Sequence, residues 1–194
     1  MYDIVTEGKA VIRIKKADKI SKEMEVFYNP IMKLNRDISI LLLNSISKNN
    51  MQIALPLAGS GIRGIRFLKE LHKNKVKSVD FNDYSSKSVN SIKNNLKLNK
   101  INKFTIINSN NIKKTINKSY NNIKNNNYNN KKIIIYNNDA NLFLLNSSGF
   151  DYIDIDPFGT SNSYLEAAIK RISRNGVLAV TNTDAAALTG TYPK

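Results

Sequence analysis

A parallel α/β sheet with helices on both faces is the fold this sequence predicts, and three observations predict it. From about residue 51 onward, apolar runs of strand length alternate with amphipathic helical patterns. A glycine-rich turn, Gly59-Ser60-Gly61 with Gly64 beyond it, follows the first of those runs and opens a helix. Acidic residues stand at the ends of the later runs, where an open α/β sheet binds its ligands.

The elements follow in order. "DIVTEGKAVIRIKK" alternates apolar and polar residues around Gly8-Lys9, which predicts a small β-hairpin. In "FYNPIMKLNRDISILLLNSIS", Asn29 suits an N-cap and Pro30 the first helical position. Met32, Ile38, Leu41, Leu42 and Ile46 then give one apolar face. "MQIALPLA" is a strand, and "GIRGIRFLKELHK" a helix with Ile62, Ile65, Leu68 and Leu71 on one side. "VKSVDFND" is the second strand, and the helix after it runs through Val89, Ile92 and Leu96. "KKIIIYNND" and "FDYIDIDPFG" are the third and fourth strands. "SYLEAAIKRIS" is a helix closed by Asn175-Gly176, and "GVLAVTNTD" is the fifth main strand. Residues 1–25 form a hairpin extension and residues 26–194 one domain. An Asn-, Lys- and Ile-rich insertion at about 108–132 reads as a short strand or helix followed by a loosely ordered loop. No helical pattern follows the fifth strand, so the domain reads as truncated there.

Composition narrows the function. The chain has 194 residues, 41% of them hydrophobic, enough for a real core. Lys and Arg number 30 against 15 Asp and Glu, a net charge of +15 that favours a polyanionic partner, most simply a nucleic acid. The absence of Cys excludes a Cys nucleophile and Cys-ligated zinc and suits a reducing cytoplasm. The single histidine, His72, falls in a polar helix tail and reads as a surface residue, so no metal site is expected in this chain. No apolar run is long enough to span a bilayer.

Four features fall at strand ends. The glycine loop ends the first strand. Asp83 ends the second, about 20 residues on, where an acid that bonds ribose hydroxyls is expected. Asp139 ends the third and "DIDPFG" the fourth. G-x-G-x-x-G taken alone suggests a nicotinamide enzyme, but such an enzyme has no use for Asp-Pro-Phe. Methylation of an exocyclic amino group does. The lone pair of that nitrogen is delocalised into the ring, and a carboxylate together with a neighbouring carbonyl, accepting its N–H groups, orients the lone pair outward. Asp156 supplies the carboxylate and Pro157 the carbonyl, while Phe158 offers a flat surface for an extruded base.

"VTEGKA", "EVFYNP", "LNRD", "LAGSGIRGIRF", "DIDPFGT" and "TDAAALTGTYPK", in that order, resemble the archaeal-type tRNA (guanine-26-N2)-dimethyltransferase family. The resemblance implies a Rossmann-like class I fold, S-adenosylmethionine as cofactor, and a guanine N2 in tRNA as target. It places the methyl-donor contacts on Arg36, Gly59, Gly61, Arg66, Asp83, Asp139 and Ala140, and sets Phe27 to sandwich the guanine against Phe158. Two alternatives remain at this point: an amino methyltransferase acting on ribosomal RNA or DNA, and a non-catalytic RNA-binding fragment.

Overall fold

The computed structural model describes residues 2–15, 26–108 and 127–182. The middle of the predicted insertion, residues 109–126, and the "TDAAALTGTYPK" stretch lie outside them. The hairpin is present as β1 (Tyr2–Glu7) and β2 (Ala10–Lys15). A 3-10 turn (Pro30–Met32) leads into α1 (Lys33–Ser45), and then β3 (Met51–Leu55), α2 (Ile62–Glu70), β4 (Val76–Asp83) and α3 (Ser86–Leu98) alternate. They are followed by β5 (Thr105–Asn108), β6 (Asn127–Tyr128), β7 (Lys131–Asn137), α4 (Ala140–Leu145), β8 (Phe150–Ile155), α5 (Asn162–Arg171) and β9 (Ile172–Val180).

The main sheet has the order β5-β7-β4-β3-β8-β9, parallel throughout, with β6 antiparallel to β7. Each face of the sheet carries its own core. On one, Leu43, Ile65, Phe67 and Ile92 of the helices pack on Ile53 and Phe81 of the sheet, and Ala10 and Ile12 of β2 join them. On the other, Phe143, Leu144 and Ala168 pack on Phe150 and Ile153. Helices therefore cover both faces, as the alternating pattern requires.

The hairpin is fastened to this body by polar contacts. Asn99, at the C-terminal end of α3, and Asn95 within it accept the backbone N–H groups of Val11 and Arg13 at 3.0 and 2.8 Å. Lys9 donates its N–H to Glu70 at 3.0 Å. Gly8 takes φ +56°, the left-handed backbone that glycine adopts most readily, where the turn passes the Glu70 carboxylate.

Four local expectations are corrected. The apolar face predicted for α1 points outward: Ile38 and Leu41 are 56% and 69% exposed, while Arg36, Ser39, Ile40 and Leu43 face inward. The inward side of α1 is chosen by polar partners on other elements, which periodicity does not register. Asn29 caps the 3-10 turn rather than α1 itself, accepting from Ile31 N–H at 2.9 Å. Asn175-Gly176 does not close α5, which ends at Arg171. The pair lies within β9, where the register against β8 jumps and Asn175 takes φ +59°. It absorbs a bulge. Residues 127–132, assigned by sequence to the insertion, form the β6–β7 hairpin.

Candidate functional site

β3 lies between β4 and β8, the place where strand order reverses, and the crevice at their carboxyl ends is the natural ligand site of such a sheet. A cleft opens there, walled by Phe27, Arg36, Gly59, Ser60, Arg63 and Asp156. Gly59 and Gly61 take φ +53° and +81°, the left-handed backbone that lets the loop turn from β3 into α2. Gly64 serves packing instead, since a Cβ there would come within 2.3 Å of the Phe81 ring.

Asp83 reaches back from the end of β4. Its Oδ2 accepts the Gly59 N–H at 2.8 Å and its Oδ1 the Ser85 N–H at 2.9 Å. Burial pushes its carboxyl above the usual range, opposed by those two backbone hydrogen bonds. Ser85, not Asp83, caps α3. Asp139 stands just beyond β7 and caps α4, with its Oδ1 accepting from Asn141 and Leu142 at 2.9 and 3.0 Å. Ala140 is the buried first residue of that helix. Asn82, fully buried, draws the turns after β3 and β7 together by donating to the carbonyls of Pro56 at 2.9 Å and Asn138 at 3.0 Å.

The two arginines singled out by sequence share one carboxylate. Glu7 accepts from Arg36 at 2.7 and 2.6 Å and from Arg66 at 2.8 Å. Burial works against its charge, but hydrogen bonds and charge from Arg36 and then Arg66 outweigh it and hold the Glu7 carboxyl below its ordinary value. Arg36 also lines the cleft. Arg66 does not: its guanidinium is spent on Glu7, on Asp37 at 2.7 Å and on Glu70 at 2.8 and 2.9 Å.

Arg63, three residues before Arg66, takes the place in the cleft wall. Its Nη2 donates to Asp156 Oδ2 at 2.8 Å and to Asn35 at 2.7 Å. Its Nη1 donates to Ser39 at 3.0 Å and lies 3.3 Å from Asp154, itself buried and hydrogen-bonded by the Tyr152 hydroxyl. Burial pushes the Asp154 carboxyl up, against the charge of Arg63 and the Tyr152 hydrogen bond. Arg63, Asp154 and Glu7 were missed in the sequence. Arg63 and Arg66 occupy equivalent places in "GIRGIR", and only the packing of α2 tells them apart.

Pro157 is buried and Phe158 follows it in the turn after β8, partly exposed. The Phe158 ring rests against Phe27, with centroids 4.1 Å apart and planes inclined at 58°. The two expected faces of a base sandwich thus touch each other.

A family model described as N2,N2-dimethylguanosine tRNA methyltransferase matches residues 8–117 and 110–194. A tRNA (guanine(26)-N(2)/guanine(27)-N(2))-dimethyltransferase of Aquifex aeolicus is 38% identical over 99% of this chain and 43% of its own length. A tRNA (guanine(26)-N(2))-dimethyltransferase of Methanocaldococcus jannaschii is 37% identical over 98% of this chain and 45% of its own. Among solved structures, Trm1 from Pyrococcus horikoshii with S-adenosyl-L-methionine superposes with a TM-score of 0.75 at 35% identity, over 98% of this chain and 45% of that one. A tRNA m1G37 methyltransferase of M. jannaschii shares the fold at TM-score 0.59 and 15% identity. The chain spans less than half the length of the relatives it matches. With the family model covering nearly all of it and the glycine loop and Asp156 lining one cleft, the chain belongs to the N2,N2-dimethylguanosine tRNA methyltransferase family.

Proposed function

We propose that the cleft binds S-adenosylmethionine and that the chain directs its methyl group to the N2 of guanine 26 in tRNA, twice in succession. The residues fit such a cofactor. Ser60 Oγ is buried in the cleft wall without a hydrogen-bond partner, a polar atom waiting for a ligand. Arg36 offers a cation for the amino-acid carboxylate, and Gly59 and Gly61 keep the loop backbone free of side chains. Asp83, held by Gly59 and Ser85, would take the ribose hydroxyls, and Asp139 and Ala140 would meet the adenine. Arg66 acts at one remove, by fixing the Glu7 that fixes Arg36.

When bound, S-adenosylmethionine supplies an electrophilic methyl group. The chain's own residues prepare the nucleophile. Arg63 holds Asp156 Oδ2, which leaves Oδ1 to accept an N–H from the guanine amino group. The Pro157 carbonyl accepts the other, and the lone pair is turned away from the ring. Each transfer releases one N–H proton, which Asp156 takes directly or through water; one N–H remains after the first methylation, so Asp156 can orient the amino group for the second. Phe27 and Phe158 part to take the base between them, exchanging their mutual contact for stacking on it.

The observation that carries this reading is Asp156, pinned by Arg63 on the wall of the cleft that also contains the glycine loop. The test is N2,N2-dimethylguanosine formation on tRNA alongside calorimetry with S-adenosylmethionine. Asp156→Ala should abolish the product and leave cofactor affinity within about twofold. Near wild-type turnover in that variant would sink the mechanism. A chain that binds tRNA but no S-adenosylmethionine would be an RNA-binding module. Among the described residues no helix is long and apolar enough to cross a membrane and no cluster suits a metal. We place the activity in the cytoplasm, where tRNA is met.

A further inference from the structure

A second cavity, of about 240 Å³, lies between the β1–β2 hairpin and α3, away from the candidate active-site cleft. Its walls carry three cations, Arg13, Lys15 and Lys87, with the amides of Asn90 and Asn94. Arg13 stacks on the Tyr2 ring, its guanidinium carbon 4.1 Å from the centroid, and has no acidic partner among the described residues. Tyr2 is 56% exposed, so much of its surface remains open. A groove of cations and amides beside an exposed aromatic ring is the chemistry that binds a nucleic-acid strand: cations and amides meet phosphates and ribose, and the ring accepts a base. An acidic peptide would use the cations but give Tyr2 and the amides no particular role.

This groove is joined to the cleft at two points. Val26 lines the groove and its neighbour Phe27 lines the cleft. Asn95, buried at the groove floor, accepts the Arg13 N–H at 2.8 Å and donates to the Ser60 carbonyl of the glycine loop at 2.9 Å.

We infer that this groove holds the ribose-phosphate backbone of the RNA substrate near the target base, which rests on the tRNA substrate proposed for this chain. Arg13, Lys15 and Lys87 are its phosphate contacts and Tyr2 its stacking face. The hairpin would then be part of the substrate-binding surface, and its fastening to α3 through Asn95 and Asn99 would keep the strand in register with the cleft.

The test is tRNA affinity of the full chain measured over a salt series, with S-adenosylmethionine affinity as the control. The double substitution Arg13→Ala, Lys87→Ala should weaken tRNA binding at least tenfold at low salt. It should also make the slope of log affinity against log salt shallower by about 0.7–0.9 per phosphate contact removed. Cofactor affinity should not move. Tyr2→Ala should weaken binding with the slope unchanged, because stacking releases no counterions. Wild-type affinity and slope in the double variant would overturn the groove while leaving the methyl-transfer assignment standing. A wild-type chain with no affinity for tRNA would overturn both.

Discussion

The Nη2 of Arg63 lies 2.8 Å from Oδ2 of Asp156, on the wall of the cleft where the glycine loop turns from β3 into α2. The same guanidinium pairs with Asp154 and is gripped from α1 by Asn35 and Ser39. Burial works against the charge of Arg63, but Asp154 and then Asp156 outweigh it and push its pKa up. One side chain therefore fixes the rotamer of Asp156 and binds α1 and α2 to the end of β8.

Arg63 should act as a positioning residue for Asp156. Arg63→Lys keeps a charge but cannot bridge two carboxylates in one planar fork. Single-turnover methylation at saturating tRNA should fall roughly 10- to 100-fold, the equivalent of a charged hydrogen bond worth about 1.5–3 kcal/mol. Cofactor affinity should stay within about twofold. Arg63→Ala should also destabilise the fold, by roughly 3–5 kcal/mol, because Asp154 is left buried without its counter-ion. Equal single-turnover rates for Arg63→Lys and wild type would show that Arg63 only holds the fold together.

The contact between Phe27 and Phe158 has a different consequence. On the proposed sandwich the rings separate before a base enters, and Phe158 sits on a turn whose Gly159 takes φ +84°. With 2-aminopurine at the target position of the tRNA, stacking should quench its fluorescence. Phe158→Ala should lose about 1–3 kcal/mol of base stacking and most of the quench, whereas Phe158→Tyr should keep both. A full quench in Phe158→Ala would place the base elsewhere.

How much of this was legible in the sequence depended on how far apart the partners are. The glycine loop, Asp83 and Asp156 could be read because strand ends are local features, and the fold itself places strand ends together. The face of α1 could not. Its inward side is decided by Arg36 reaching Glu7 across 29 positions and Ser39 meeting Arg63 across 24. An apolar stripe of Met32, Ile38, Leu41, Leu42 and Ile46 outweighed those pairs in the pattern, yet Ile38, Leu41 and Leu42 are exposed. Asn175-Gly176 misled for a related reason. A left-handed turn pair marks a helix end or a bulge equally well, and here the register of β9 against β8 chose the bulge.

Two buried carboxylates set opposite pH dependences on stability. Glu7 is held below its ordinary value by Arg36 and Arg66 in spite of burial, so its contribution is present above about pH 4.5 and is lost as pH falls through the folded-state value. Asp80 behaves in the reverse sense. It is enclosed at the middle of β4; among the described residues its Oδ1 has no hydrogen-bond partner, and its Oδ2 accepts from the Tyr136 hydroxyl at 3.5 Å. Burial pushes its carboxyl up to about 7, opposed by the charge of Lys132 and the Tyr136 hydrogen bond. Asp80 is then protonated in the fold while the unfolded chain has already ionised, so stability falls as pH rises from about 4 to 7 and levels off above. The difference amounts to something on the order of 4 kcal/mol. Burial also raises Asp83 and Asp154, which slope the same way, so the test is a difference between variants. Asp80→Asn should be less destabilised than wild type on going from pH 5 to pH 8 in urea unfolding, and Glu7→Gln should flatten the acid limb below pH 4.5. If Asp80→Asn and wild type lost the same stability between pH 5 and 8, Asp80 would have to be ionised in the fold across that range, stabilised by Lys132 more strongly than its burial allows.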